Sequence, residues 1–473
     1  MIQDVLGIMP RPLHWLRISP RHWLAALAML LVLHGASAQP TTAPVGQPLP
    51  ANATLDQCVE FALRNQPLVR QSQLDERIAD RNIRIGLSYW LPQINGTGVY
   101  TRNIQLQASV LPVDFTDPAA GQRIVRFGLK NVSTVGLQAT QLLYSNDVLR
   151  AARSVRATRL NYAQTTALNK IDVVTNVSKA FYDILLTEEQ LRILLEVLQR
   201  QERQVRDAKA QYEVGIADKT DFLRADISLK NAAAQRRSLV AALPGKYATL
   251  KQLMGIEAGN NLALKYDTLE MVRQTLLDTT VQLAYEKRVE IQQLQTQKQL
   301  QRYTIDYYRF GFLPSLSSYY NYNRVYQDND FSELYKQAFP NQQAGLQLAL
   351  PIFTGTRRLQ NLKIAELQDE QLDLTIFDAK NQINSEFEQA MGAYKGSLNE
   401  FYTIEQNVAE AKEVYRILNL QYREGLRTFL DVIIAETDLR TAQLNYYNAL
   451  FNVLSTKLDV QRALGNITFN QNQ

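Results

Sequence analysis

The sequence predicts a mostly α-helical, internally duplicated chain that also contributes four β-strands to a membrane barrel. Three observations predict this fold class: a repeat about 210 residues apart, two very long segments of helical composition, and short segments in which apolar and polar residues alternate. Because the two copies follow the same order of elements, each half is expected to form one structural unit that packs against the other.

The repeat is clearest around two glycines. Tyr212–Ile216 (YEVGI) precedes Asp221 in the first copy, and Tyr422–Leu426 (YREGL) precedes Asp431 in the second. In both copies the aspartate follows the glycine by six residues. A chain that reverses between two helices often places glycine at the turn, so each motif predicts the tip of a helical hairpin.

Two long segments have the composition of helices. Residues 145–212 contain neither proline nor glycine, and the second copy, 355–422, is interrupted only by Gly392 and Gly396. A helix of that length spans roughly 100 Å. Apolar residues at steps of four and three predict antiparallel coiled-coil packing. Shorter helices are predicted over 55–88, 220–254, 268–309 and 430–464.

Four segments between the helices have the period of β-strands. Residues 94–103 and 316–326 are rich in Tyr, Asn, Ser, Thr and Gly, and alternation of apolar and polar residues marks 136–140 and 343–350. Such segments suit the wall of a transmembrane β-barrel, but single-chain barrels of this type begin at about eight strands. Open sheet edges are not tolerated in lipid, so an oligomer is expected. Two chains would supply eight strands and three would supply twelve, and the strand count does not choose between them.

The N-terminus has the composition of a secretory signal. Arginines precede an apolar stretch at 23–33, and Ala36-Ser37-Ala38 offers a cleavage site of small residues. The apolar stretch is shorter than the ~20 residues of a spanning helix, which disfavours the alternative of a membrane anchor. The predicted organisation is a signal peptide at 1–38, a flexible segment at 39–54, a first repeat at 55–267 and a second repeat at 268–473.

Composition argues against an enzyme. The three histidines, His14, His22 and His34, lie in the signal segment, and the only cysteine is Cys58. Nucleophilic triads need an imidazole base and common zinc sites need several His or Cys ligands, so no cofactor and no metal site is expected. The formal net charge is only +5, which gives no basic footprint for nucleic acid.

These features together resemble the TolC family of outer-membrane efflux factors, across essentially the whole chain after the signal. The resemblance rests on the duplicated order of elements, on the two tip motifs and on the closing stretch 439–446 (LRTAQLNY). It implies a homotrimer with a twelve-stranded barrel in the outer membrane of a Gram-negative bacterium, continued into the periplasm by a tunnel of long helices.

The implied function is a passive exit duct of a tripartite efflux or type I secretion system. In this family the helix tips dock onto a periplasmic adaptor (membrane fusion) protein, which works with an inner-membrane pump of the RND, ABC or MFS type. The cargo is not implied, because specificity would reside in the pump.

The resemblance also assigns residues to a gate. Asp221, Tyr422 and Arg427 match the network that closes the periplasmic mouth, although a solvated tip charge is an alternative for Arg427. Asp431 matches an acidic ring at the constriction. Well-known family members carry a second acid one turn later, where this sequence has Ile434, so an apolar collar is expected instead.

Two further sets of residues follow from the same resemblance. Residues at the tip turns are assigned to adaptor docking, with ordinary helix stops as the alternative for the glycines. The docking candidates are Val214, Gly215, Ile216, Gly425 and Leu426. Trp90 is assigned to the membrane interface, where helix meets barrel, and plain packing is the alternative for it.

Two other classes of protein share some of these features. A trimeric autotransporter-like adhesin also builds twelve strands from three chains, but its strands are contiguous, whereas here long helical segments separate the two hairpins. A structural coiled-coil envelope protein would explain the helices but would need no alternating strands.

Overall fold

The computed structural model describes residues 52–111, 123–216, 218–257 and 259–467. The predicted signal peptide and most of the predicted flexible segment lie outside these residues. In chain order, the described elements are α1 (Leu55–Asn65), α2 (Pro67–Ser88), β1 (Gln93–Arg102), β2 (Gln107–Leu111), β3 (Arg123–Phe127), β4 (Asn131–Tyr144), α3 (Asn146–Glu213), α4 (Lys219–Met254), α5 (Thr268–Arg273), α6 (Val289–Arg309), β5 (Ser315–Asp328), β6 (Ala338–Ala349), α7 (Arg357–Arg423) and α8 (Phe429–Ala463).

The two longest helices confirm the prediction from composition. α3 has 68 residues and α7 has 67 residues. α3 forms an antiparallel hairpin with α4, α7 forms one with α8, and the two hairpins meet where α3 packs against α8. Within the described ranges, no helix combines the length and the apolar composition needed to cross a membrane.

The four predicted strands are present and form one antiparallel sheet with the order β1-β4-β5-β6. The two repeats meet at its centre, where β4 pairs with β5 and Gly136 lies opposite Asn323. The Asn323 carboxamide occupies the space that a side chain at Gly136 would need. β1 and β6 are the edges of this sheet, so each has one side without a partner in the single chain.

The predicted helix over 268–309 is wrong. α5 ends at Arg273, and a short 3₁₀ turn precedes the start of α6 at Val289. In the intervening stretch the Asp278 carboxylate accepts hydrogen bonds from the backbone N–H of Thr280 at 2.9 Å and from its hydroxyl at 2.7 Å. Such local side-chain bonds offer the backbone an alternative to the helical ladder.

The predicted helix over 55–88 is divided in two. Gln66 has an extended backbone, with ψ at 126°, and Pro67 opens α2. Proline disfavours a helical conformation in the residue before it, which explains the break.

Two further strands, β2 and β3, were not predicted from the sequence. They pair with each other in a separate two-stranded antiparallel sheet.

The main hydrophobic core lies where the two helical hairpins meet the shorter helices. It includes Phe181 of α3, Leu250 of α4, Phe401 of α7 and Leu450 of α8, all nearly inaccessible to solvent. Tyr394 is buried beside them and donates a hydrogen bond to the carbonyl of Thr275 at 2.8 Å. This core holds the middle of the long helices, and a smaller buried cluster that includes Ala208, Ala225 and Phe429 packs beside their distal turns.

Candidate functional site at the helix tips

The two tip turns have the same geometry. Gly215 and Gly425 both have φ at +74°, a conformation that other residues rarely adopt. The N–H of Gly215 donates to the carbonyl of Tyr212 at 3.0 Å, and the N–H of Ile216 donates to that of Gln211 at 2.9 Å. The second turn repeats both hydrogen bonds at the same distances with residues 210 positions later. Each turn is therefore a Schellman motif, which caps the helix and reverses the chain.

Apolar side chains project from both turns into solvent. Val214 is 68% exposed, Ile216 is 78% exposed and Leu426 is 74% exposed. No atom lies within 4 Å of the position where a side chain at Gly215 or Gly425 would begin. All five predicted docking residues therefore lie at two solvent-exposed turns, while their docking role remains a prediction.

Asp431 lies in the first turn of α8 and forms a capping box with Thr428. The Thr428 hydroxyl accepts a hydrogen bond from the Asp431 N–H at 3.3 Å, and the Asp431 carboxylate accepts one from the Thr428 N–H at 3.1 Å. The carboxylate also accepts a hydrogen bond from the Thr428 hydroxyl at 2.9 Å. These bonds from Thr428, aided by the nearby positive charge of Arg427, lower the pKa of Asp431.

Tyr422 is the best-anchored residue of the predicted gate. Its hydroxyl donates to the Gln211 side chain at 3.0 Å, and its ring lies 5.6 Å from that of Phe429. Burial, together with the negative charges of Asp221 and Asp207, raises the pKa of Tyr422. This contact ties the end of α7 to the end of α3, which belongs to the other repeat.

The remaining gate residues are less tightly bound within one chain. Asp221 lies in the first turn of α4, where it contributes negative charge near Tyr422. Arg427 is exposed and its Nε donates to the Gln421 side chain at 3.3 Å. Among the residues that the structure describes, Arg427 forms no ion pair with Asp221 or Asp431. The predicted network is therefore only partly assembled in the single chain.

Ile434 lies on α8 one turn after Asp431 and is 51% exposed. A half-exposed isoleucine at this position presents an apolar surface next to the carboxylate. The arrangement is compatible with the expected collar, but the narrowest point of a channel requires the neighbouring chains, so this role remains a prediction.

Trp90 lies, as the sequence suggests, between the end of α2 and the start of β1. Its ring is partly exposed, and its carbonyl accepts a hydrogen bond from the Gln141 side chain of β4 at 3.4 Å. Its position at the junction of helix and sheet is established, whereas contact with lipid remains a prediction.

Two glutamines that accept hydrogen bonds from the predicted gate residues were not identified from the sequence. Gln211 accepts the hydrogen bond from Tyr422, and Gln421 accepts the one from Arg427. The repeat could have pointed to them, since a Gln-Tyr pair occurs at 211–212 and again at 421–422. In the described part of the chain, no group of three His, Cys, Asp or Glu side chains is placed to hold a metal ion.

Comparison with known proteins agrees with this architecture. The chain matches the family model described as "Outer membrane efflux protein" over residues 59–256 and 280–466. It is 22% identical to the outer membrane protein TolC of Vibrio cholerae over 86% of this chain and 89% of that protein. It is 21% identical to the proteases secretion protein PrtF of Dickeya chrysanthemi over 93% and 92% of the two chains.

Solved structures of outer-membrane channels share the fold. The crystal structure of CusC superposes with a TM-score of 0.70 at 18% identity and covers 89% of this chain and 94% of that one. The CmeC channel of Campylobacter jejuni gives 0.67 at 18% identity, over 87% and 85% of the two chains. The duplicated order, the paired tip turns and these likenesses lead to one conclusion. This chain belongs to the outer membrane efflux protein family, the TolC family, whose members are efflux and secretion channels in the outer membrane of Gram-negative bacteria.

Proposed function

We propose that this protein is the trimeric exit duct of a tripartite efflux or type I secretion system, closed at rest by its periplasmic helix tips. The observation that carries the proposal is a sheet with two unpaired edges attached to two long helical hairpins that end in equivalent exposed turns. The family match over both repeats favours a channel over the adhesin and the coiled-coil scaffold.

The sheet supports closure by several copies of the chain. An open edge leaves backbone N–H and C=O groups without partners, and lipid cannot satisfy them. β1 and β6 run in opposite directions because every neighbouring pair in the sheet is antiparallel. The free edge of β6 can therefore pair in an antiparallel manner with β1 of the next chain, and three chains close a barrel of twelve strands.

Exposed apolar stripes on the helices support the same assembly. On α2, Leu74, Ile78 and Ile85 follow helical spacing and each is more than half exposed. On α7, Leu367, Leu374 and Phe377 form a second stripe that is even more exposed. Contiguous apolar surface of this kind marks an interaction site, and neighbouring chains in a helical tunnel would cover it.

We expect the detergent-extracted protein to be a trimer, because neither the sheet edges nor the apolar stripes have partners within one chain. Light scattering or native mass spectrometry of protein purified from outer membrane checks this expectation. A stable monomer that still conducts ions across a planar bilayer would refute the trimer.

The tips suit docking of a periplasmic adaptor. Two turns with the same φ at glycine present Ile216 and Leu426 at corresponding positions, so an adaptor repeat can meet a similar apolar side chain on both hairpins. The relatives include PrtF, named for secretion of proteases, and an antibiotic efflux pump outer membrane protein of Pseudomonas putida. An adaptor with an inner-membrane pump of the RND, ABC or MFS type is therefore the proposed partner, and no cofactor is required.

The gate proposal concerns Asp221, Tyr422 and Arg427. Tyr422 already joins the two hairpins within one chain, and the exposed Arg427 guanidinium has donors beyond its bond to Gln421. A neighbouring chain that offers a carboxylate, such as its own Asp221, would complete the network. One exposed ion pair contributes only about 0–1 kcal/mol, but threefold repetition multiplies it.

We expect Arg427→Ser to raise single-channel conductance severalfold, because it removes the donors that restrain the tip. Planar-bilayer recordings measure this directly, and sensitivity of cells to large antibiotics gives a second measurement. Arg416→Ser is a matched control, since Arg416 is an exposed arginine near the end of α7 that pairs with Glu413 on its own helix, whereas Arg427 lies in the turn between α7 and α8. Equal conductance of Arg427→Ser and the parent would remove Arg427 from the gate.

A further inference from the structure

A buried carboxylate lies where the two helical hairpins meet, just above the tips. Glu436 of α8 is only 2% exposed, although it lies five residues after Asp431. Its carboxylate accepts hydrogen bonds from Arg200 Nε of α3 at 3.3 Å and from the Gln204 side chain of the same helix. Arg200 Nη2 is buried and has no hydrogen-bond partner among the described residues. The carboxylate of this ion pair is therefore buried, the Arg200 side chain is 22% exposed, and one guanidinium nitrogen of Arg200 lacks a hydrogen bond.

Three helices surround this carboxylate. Arg200 and Gln204 face it from α3, and Arg440 lies one turn further along α8. Tyr415 faces it from α7 and has a raised pKa, first because of burial and then because of the charge of Glu436. Two further cations, Arg203 and Arg423, lie near enough to act on Tyr415.

The duplication provides a natural comparison. The equivalent position in the first repeat, 210 residues earlier, is Asp226 of α4. Asp226 is partly exposed and pairs with Lys230 on its own helix at 2.6 Å. Both repeats thus carry an acid here, but only the second repeat buries it in the contact between the hairpins. Packing, rather than residue type, makes Glu436 different.

Burial raises the pKa of Glu436 above its ordinary value, while hydrogen bonds and charge from Gln204 and Arg200 oppose the rise. A carboxyl group with a raised pKa in the packed state binds a proton more tightly there than when the helices separate. Proton uptake therefore favours the packed state, and this stabilisation is lost as the pH rises through the raised pKa. When the carboxyl group is ionised, its buried charge weakens the contact between α3 and α8.

We propose that Glu436 is a positioning residue for the gate. Its ionised carboxylate, buried between the hairpins, weakens the α3–α8 contact near the tips, and the uptake of one proton per chain tightens that contact and holds the tip closed. This inference rests on the proposed function. The residues that it positions are Asp431 and Ile434, which lie on the same helix within five residues of Glu436.

The test compares the full-length parent with Glu436→Gln in planar bilayers between about pH 5 and pH 8. Gln keeps an acceptor for Arg200 but cannot titrate, so it mimics the protonated residue. The parent current is expected to fall severalfold on acidification. Glu436→Gln is expected to show the low current throughout, with little dependence on pH. Asp226→Asn, the matched control in the first repeat, is expected to keep the parent profile.

A second variant tests the direction of the effect. Arg200→Gln removes the positive charge that opposes the raised pKa, so the fall in current is expected at a higher pH than in the parent. Asp431 does not obscure this window, because hydrogen bonds from Thr428 lower its pKa whereas burial raises that of Glu436. A Glu436→Gln channel that retains the pH profile of the parent would overturn the proposal.

Hydrogen–deuterium exchange separates this inference from the proposed function. Amides of residues 429–440, corrected for the intrinsic pH dependence of exchange, are expected to exchange severalfold more slowly in Glu436→Gln than in the parent at the upper end of this pH range, about pH 8. A parent that forms no conducting pore would contradict the proposed function, and the exchange comparison would still decide the role of Glu436. Equal exchange in the parent and in Glu436→Gln would overturn that role.

Discussion

Gly425→Val is expected to abolish most export while leaving the protein folded in the outer membrane. Gly425 has φ at +74°, and the left-handed conformation costs other residues about 1–2 kcal/mol, with a β-branched residue at the upper end. Because about 1.4 kcal/mol is a factor of ten in an equilibrium constant, the ratio of native to non-native tip turns would fall roughly tenfold. Leu426 would then no longer present its side chain as Ile216 does. The minimum inhibitory concentration of an exported compound, in cells with only the variant channel, measures the loss.

Two controls isolate the turn from other effects of a larger side chain. No atom lies within 4 Å of the place where a side chain at Gly425 would begin, so a steric clash does not contribute. Gly425→Asn is expected to retain export, because asparagine tolerates the left-handed conformation. Gly392→Ala changes a glycine inside α7 that has no positive φ, and it is expected to stabilise the helix by about 0.5–1 kcal/mol. Full export by Gly425→Val would show that the turn is not the docking element.

The tips could be predicted from the sequence because their structure is local. A glycine with positive φ, the two hydrogen bonds of the Schellman motif and the capping residue that follows all depend on neighbours within a few positions. The duplication then doubled the signal, since the motif at 212–216 and the motif at 422–426 agree in spacing. The same reasoning placed the four strands of the main sheet, where the period of two is also local.

The errors arose where a competing local interaction or a distant contact decides the structure. Asp278 and Thr280 redirect the chain after α5, although the surrounding composition suits a helix. Pro67 divides the first predicted helix, and this break was recognisable from the sequence. β2 and β3 are five residues each and are stabilised mainly by pairing with one another, so neither has a clear pattern of its own.

The candidate site also combines features that local sequence determines with features that distant contacts determine. Tyr422 was identified through the family motif, but its hydrogen bond to Gln211 joins residues 211 positions apart and could not be read from either segment alone. From the sequence alone, Glu436 cannot be distinguished from an acidic residue on a helix surface. Its counterpart Asp226 does lie on such a surface, where it pairs with Lys230. Only the packing of α8 on α3 buries it and changes its pKa.

Ile434→Asp is expected to tighten block by trivalent cations by about tenfold or more, because it would add a second ring of three carboxylates one turn from Asp431. Asp431→Asn is expected to weaken the block by a similar factor and to reduce cation selectivity. Ile434 is 51% exposed, so a carboxylate at this position stays solvated and the variant should fold. Bilayer recordings with an added trivalent metal ion measure the block of parent and variants.

The pH dependence of this block provides a sharper test of Asp431. Its pKa is lowered by hydrogen bonds from Thr428, so the charge persists below the ordinary range for aspartate and is lost only as the pH falls through the lowered pKa. Thr428→Ala removes the hydroxyl donor, and the pKa of Asp431 is expected to rise. Block should then disappear at a higher pH than in the parent. Repulsion among three carboxylates would raise the pKa in both proteins, so the direction of the difference is unaffected. Unchanged block in Asp431→Asn would place the cation site elsewhere in the channel.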